Sequence, residues 1–179
     1  MPFLTVVTRT IPRRYDMLVA NKQSLREQSD QDYQHLVISD YVGVGVAYAN
    51  GEMATRDWSG IEGDYVMVLD DDDILSGPDV IKRLKEALVI MPVDLLIVRM
   101  DQGPHGILPS PGEPIKRGRI GCSAVIPSRL LFLEAVKSYT PRYDGDYDYI
   151  SACVEKSTVL YRFDFVASKV TQVGAYSEV

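Results

Sequence analysis

A chain of 179 residues with 46% hydrophobic content can bury one compact core and is short for two. Its net charge of −6 argues against nucleic acid and anionic lipid as partners, because both call for a basic face. An acidic protein that binds phosphates needs a neutralising counter-ion, and a divalent cation is the usual one.

The first residues, MPFLTVVTRTIPRR, lack the basic start, long apolar run and small-residue cleavage site of a signal peptide. No apolar run approaches the roughly 20 residues of a membrane span. Cys122 and Cys153 lie in apolar contexts, so buried reduced thiols and a cytoplasmic location are expected. Two histidines and no Cys-x-x-Cys speak against zinc.

Residues 3–8 (FLTVVT) read as a buried strand. Pro12 suits the first turn of a helix, where its missing N–H does no harm, and Met17, Leu18, Asn21 and Leu25 continue at helical spacing. Residues 33–39 (YQHLVIS) form a second strand ending at Asp40. Gly43, Gly45 and Gly51 favour loops across 42–58, with one short helix around 47–50. Residues 65–69 (YVMVL) are the clearest buried strand and run into Asp70–Asp73. A helix over 79–91 places Val80, Ile81, Leu84, Leu88 and Met91 near one face, between Pro78 and Pro92. Residues 94–100 (DLLIVRM) form a fourth strand. Four prolines and four glycines make 101–118 a long loop of the kind that covers binding sites. A short strand over 122–126, a helix over 129–137 and a strand over 158–165 follow.

Strands alternating with helices predict an α/β sandwich with a mostly parallel central sheet flanked by helices. Ligands of such sheets sit beyond the carboxyl ends of the strands. Thr8, Arg9, Asp40 and the aspartate run stand at those ends.

The run VMVLDDDDIL carries the most information. Strand alternation across it would put Asp70 and Asp72 on one side. Two carboxylates there suit Mg²⁺ or Mn²⁺, which binds through one or two carboxylates and keeps places for phosphate oxygens. A solvated acidic patch is the alternative.

GDYVMVLDDDDIL resembles the D-x-D segment of family 2 glycosyltransferases with the GT-A fold, the nucleotide-diphospho-sugar transferase fold. LTVVTRT is similar to their first strand. SLREQSDQDYQHLVISD resembles their helix end and second strand. ATRDWSGIEGDYV resembles the approach to the D-x-D strand, and DGDYDYI the later acidic motif. The resemblance implies a single GT-A domain over 1–179, with a nucleotide-binding half at 1–100 and an acceptor and catalytic half at 101–179. It implies a metal-dependent inverting transferase of the hexosyltransferase type. Its donor would be a nucleotide sugar, UDP-sugar by default, and its acceptor an unidentified sugar, lipid-linked or protein hydroxyl. Thr8 and Thr10 would lie near the nucleotide, and Asp40 would accept from the base. Arg56 would reach the diphosphate. Asp70 and Asp71 would contact the nucleotide sugar, and Asp72 with Asp70 would hold Mn²⁺ or Mg²⁺.

Displacing a nucleoside diphosphate calls for a cation at the leaving group and a carboxylate base at the acceptor hydroxyl. Within Tyr143–Asp148, the resemblance assigns the base to Asp146 first, then Asp148, then Asp144. The other reading of this stretch is a turn opening a helix at Ile150, with acidic residues at its N-terminus. Arg117 and Arg119 flank Gly118 and would clamp the diphosphate or an anionic acceptor, or simply be solvated. Gly121–Ala124 are small enough for a sugar to approach the backbone, or to pack as a strand.

Three other readings compete. A haloacid dehalogenase-like phosphatase also ends an apolar strand in D-x-D, but nearer the N-terminus and followed by Gly-Thr. A sugar nucleotidyltransferase would show a glycine-rich loop where Arg9–Arg14 stands. A non-catalytic nucleotide- or metal-binding module would keep Asp40, Asp70 and Asp72 and use 144–148 structurally.

Overall fold

The structure, a computed structural model, describes residues 1–39 and 45–171. The first strand, β1 (Leu4–Thr10), leads through a single 3₁₀ turn at Pro12–Arg14 into α1 (Tyr15–Arg26) and β2 (Tyr33–Ser39). The short α2 (Val46–Thr55) follows, then β3 (Tyr65–Val68), β4 (Asp73–Leu75), α3 (Val80–Ile90) and β5 (Leu95–Asp101). The chain continues with β6 (Ile107–Leu108), β7 (Val125–Pro127), α4 (Arg129–Ala135), α5 (Asp146–Lys156) and β8 (Leu160–Val170).

One ladder runs β2-β1-β3, parallel throughout. The other runs β4-β8-β5-β6. Within it β5 and β8 are parallel, whereas β4, β6 and β7 pair antiparallel to their neighbours. Among the described residues, one antiparallel bridge between Tyr65 and Ser128 joins the two ladders, so β7 stands between β3 and β5. The α/β architecture read from the sequence is the observed one. Its parallel character belongs to β2-β1-β3 and to the β5–β8 pair.

The strands read as apolar runs because both faces of the sheet are covered. Val7, Val66, Val68, Leu95 and Ile97 pack with Met53, Trp58, Phe132 and Tyr149 of the α2, α4 and α5 side. Their neighbours Leu4, Val6, Met67, Leu69, Leu96 and Val98 pack on the other face with Leu25, Ile81, Leu84 and Leu88 of α1 and α3. This is the period-2 pattern of a pleated strand.

Local departures have local causes. The residues after Pro12 make a 3₁₀ turn before the α-helix starts, since Arg14 N–H bonds the Ile11 carbonyl at 2.9 Å. The strand expected at 122–126 begins only at Val125, because Cys122–Ala124 turn. β4 is three residues long, too short to show a period. The alternative reading of the acidic stretch has a helix opening at Ile150; α5 opens at Asp146.

Candidate active site

The aspartate run is a turn, not the end of a pleated strand. Leu69 N–H still bonds the Val7 carbonyl at 2.9 Å, after which Asp73 N–H closes on the Asp70 carbonyl at 2.9 Å. Asn21 of α1 holds this turn from beneath. Its fully buried amide donates to the carbonyls of Leu69 (3.4 Å), Asp70 (3.1 Å) and Asp73 (2.9 Å). Its Oδ1 accepts from the Thr8 hydroxyl at 3.3 Å, and Thr8 is also 2.9 Å from His35 Nε2. Thr8 is thus a buried brace for α1 and β2 and does not open on the site.

Each carboxylate of the turn has its own environment. Asp70 meets Arg9 as a fork, with Nε to Oδ1 at 2.7 Å and Nη2 to Oδ2 at 2.6 Å. Asn50 of α2 takes the third corner of that guanidinium at 2.5 Å and donates to the Arg142 carbonyl at 2.8 Å. Asp71 and Asp72, though adjacent, share one guanidinium: Arg14 Nη1 is 2.9 Å from Asp71 and Nη2 is 2.8 Å from Asp72. Strand alternation would have sent these neighbours to opposite faces, so the sidedness inferred for Asp70 and Asp72 does not survive the turn. Burial raises the Asp71 carboxyl to about 6 against the pull of Arg14. Burial, aided by Asp70, also raises Asp72, and burial pushes Asp73 well above the carboxylate range. Thr10 is buried beside the run at the end of β1.

A cleft of about 530 Å³ opens where the first and second halves of the chain meet. Arg9, Asp70, Arg117, Asp144, Asp146 and Tyr147 line it, with Gly118 and Gly121 giving backbone access. Asp146 is the first residue of α5, with its Oδ1 accepting from the Tyr147 N–H at 2.9 Å. Burial holds its carboxyl above the usual range; Arg9 pulls it down and Asp70 pushes it up. Among the described residues it makes no ion pair. Asp148 is different. It accepts from the Thr140 hydroxyl at 2.6 Å and from Arg142 Nη2 at 2.5 and 2.6 Å, which hold it below the usual range, and it lies outside the cleft lining. Asp144 lines the cleft but pairs with Arg117 and, at 3.2 Å, with Arg142.

The glycine between these acids has a steric cause. A Cβ at Gly145 would stand 1.9 Å from the Thr140 carbonyl oxygen. No side chain fits there, which sets the D-G-D spacing.

Of the residues expected at a nucleotide-sugar site, the fold brings Asp70, Arg117, Asp144 and Asp146 to one cleft. Arg56 is exposed at the end of α2 and does not line that cleft, and Arg119 pairs with Glu113 at 3.0 Å outside it. Asp71 and Asp72 lie behind Asp70, against Arg14. Asp40 lies outside the described residues. Arg9 is marked in the sequence by its place near the end of β1, whereas Arg14, Asn21 and Asn50 carry no such mark.

Asp70 and Asp72 are oxygen donors of the type Mn²⁺ and Mg²⁺ take. Yet each already faces a guanidinium, and only Asp70 opens on the cleft. Among the described residues, no group of three His, Cys, Asp or Glu is placed to hold a metal ion. The donors as arranged do not fit the expected ion.

No protein-family model matches the sequence, and no curated protein matches it. Solved structures match it in shape. S. aureus TarS aligns over 95% of this chain with a TM-score of 0.66 at 10% identity, and this chain spans 37% of TarS. The TarS 1–349 structure in complex with UDP-GlcNAc aligns over 95% of this chain and 58% of its own, with a TM-score of 0.66 at 13% identity. A glycosyltransferase involved in glycosylation of the major capsid of PBCV-1 aligns over 99% of this chain and 96% of its own, with a TM-score of 0.59 at 9% identity. At these identities the likeness concerns the fold. The chain is built on the GT-A glycosyltransferase fold over nearly its whole length.

Proposed function

We propose that this chain is an inverting glycosyltransferase that moves a sugar from a nucleotide-diphospho-sugar, UDP-sugar by preference, to a hydroxyl acceptor. The observation that carries the reading is that Asp70 and Asp146 line one cleft of a GT-A fold together with Arg9 and Arg117. UDP is preferred because TarS, of the same fold, has been captured with UDP and with UDP-GlcNAc.

In this reading the acceptor hydroxyl attacks the anomeric carbon while the bond from that carbon to the diphosphate oxygen breaks. Asp146 takes the hydroxyl proton. A carboxylate of raised pKa is the stronger base, and of the acidic trio Asp146 is the member that no arginine meets in an ion pair. Asp148, clamped by Thr140 and Arg142, fixes the start of α5 and so the position of Asp146. The departing diphosphate gathers negative charge, which Arg9 and Arg117 face. The metal expected at Asp70 and Asp72 has no step here.

The test is a panel of nucleotide sugars scored for release of nucleoside diphosphate, with Asp146→Asn as the control. Release that survives this substitution unchanged would remove Asp146 from the reaction. Phosphate release from simple monoesters would favour the phosphatase reading, which the GT-A fold otherwise leaves without support. Binding with no turnover would favour a non-catalytic module.

A further inference from the structure

We propose that Arg14 takes the place of the divalent cation in the aspartate turn, so that a donor's diphosphate is met by guanidinium groups with no metal ion between. The proposal rests on the nucleotide-sugar reading and adds how that site neutralises phosphate charge.

The geometry is that of a bridging cation. One guanidinium spans Asp71 and Asp72 at 2.9 and 2.8 Å, and its side chain is 9% exposed against 0% and 12% for theirs. The 3₁₀ turn Pro12–Arg14 fixes where Arg14 leaves the backbone, and its Nε lies 3.2 Å from Met17 Sδ. The third carboxylate, Asp70, is taken by Arg9 in a two-bond fork, and Asn50 anchors the far side of that group. Each of residues 70–72 therefore has a positive partner in place. A metal ion entering there would have to displace guanidinium groups from buried pairs, leaving them unpaired in a poorly solvated place. It would also find only Asp70 turned to the cleft.

Charge for the diphosphate comes instead from the cleft walls. Arg117 lies there half exposed, 5.2 Å above the Tyr147 ring, and Arg9, its fork held by Asp70, adds only the N–H groups that Asp70 and Asn50 leave over. The Arg117 partner Asp144 is also part exposed, so a phosphate competes easily with that pair. Arginine suits the role because its planar fork matches two phosphate oxygens at once.

The experiment measures UDP binding calorimetrically on the whole chain, in EDTA and in MnCl₂, with Mn²⁺ binding followed separately by paramagnetic resonance. Equal UDP affinity in the two buffers is expected, with free Mn²⁺ undiminished by wild-type protein. Arg14→Gln should gain a Mn²⁺-dependent rise in melting temperature that wild type lacks. A gain of about tenfold or more in wild-type UDP affinity on adding Mn²⁺ would overturn the proposal and leave the nucleotide-sugar reading standing. Stoichiometric Mn²⁺ binding by wild type would overturn it too. No UDP binding in either buffer would defeat the nucleotide-sugar reading itself. Should Arg14→Gln fail to fold, the wild-type measurements decide alone.

Discussion

Asp146, Asp144 and Asp148 stand within five positions, and the fold gives them unlike chemistry. Burial holds Asp146 above the ordinary carboxylate range, whereas hydrogen bonds from Thr140 and Arg142 hold Asp148 below it. A base must be ionised, so turnover falls as pH drops through its pKa. With Asp146 as base, the acid limb of kcat/KM lies above the ordinary aspartate range; with Asp148 it would lie below. The pH–rate profile separates them. Asp146→Asn should lower kcat by about 10²–10⁴-fold with nucleotide affinity retained, the range for loss of a general base. Arg14→Met leaves Asp71 and Asp72 buried without their shared cation. Breaking a buried pair in this way costs about 3–5 kcal/mol, which urea unfolding would read as a lower midpoint. Little of this was written in the sequence. The D-x-D and D-G-D spellings mark where carboxylates cluster, but which one keeps a free face depends on arginines brought from residues 9, 14, 117 and 142.

Turns and helix ends decide where those side chains arrive. The Asn21 amide braces the β3–β4 turn, so Asn21→Ala should take a donor from the carbonyls of Leu69, Asp70 and Asp73 and cost about 1–3 kcal/mol. The unfolding free energy checks the size; a drop in kcat with KM nearly unchanged would show that the turn also sets catalytic geometry. At the start of α5, Gly145→Ala drives a methyl into the Thr140 carbonyl and should destabilise by about 1–3 kcal/mol, measured by thermal melting. The long elements were legible beforehand. β2 spans the residues read as YQHLVIS, and α3 falls between its flanking prolines, because their apolar spacing is the spacing of the buried faces. β4 and β6 escaped because two or three residues cannot show a period, and β4 takes its pairing from the distant β8, whereas β7 was legible only in its apolar end at Val125 and Ile126.

The assembled molecule links its interior to its cleft through aromatic rings. Trp58 meets Phe132 edge-on, Phe132 meets Tyr149, and Tyr149 stacks on Tyr139 at 4.6 Å. Arg9 then lies 5.7 Å from the centre of the Tyr139 ring. A ligand that binds only the folded chain stabilises it by mass action, whatever side chains it touches. UDP at a hundredfold its Kd should stabilise the protein by about 2.7 kcal/mol, seen as a higher melting temperature that EDTA leaves in place. The α/β alternation across the chain foretold this architecture. The antiparallel entry of β7 between β3 and β5 was not foretold, since its pairs with β5 and its bridge to Tyr65 join residues far apart in sequence.

That entry has a consequence for how such a protein diversifies. β6 and β7 lie along the same edge of β5, so the excursion between them leaves and rejoins the sheet beside one strand. Arg117, Gly118, Ile120 and Gly121, all on that excursion, form one rim of the cleft. Residues can be gained or lost there while every backbone ladder keeps its alignment. Under the transferase reading, a change of acceptor therefore needs only the editing of one peripheral detour, with the β2-β1-β3 scaffold left intact.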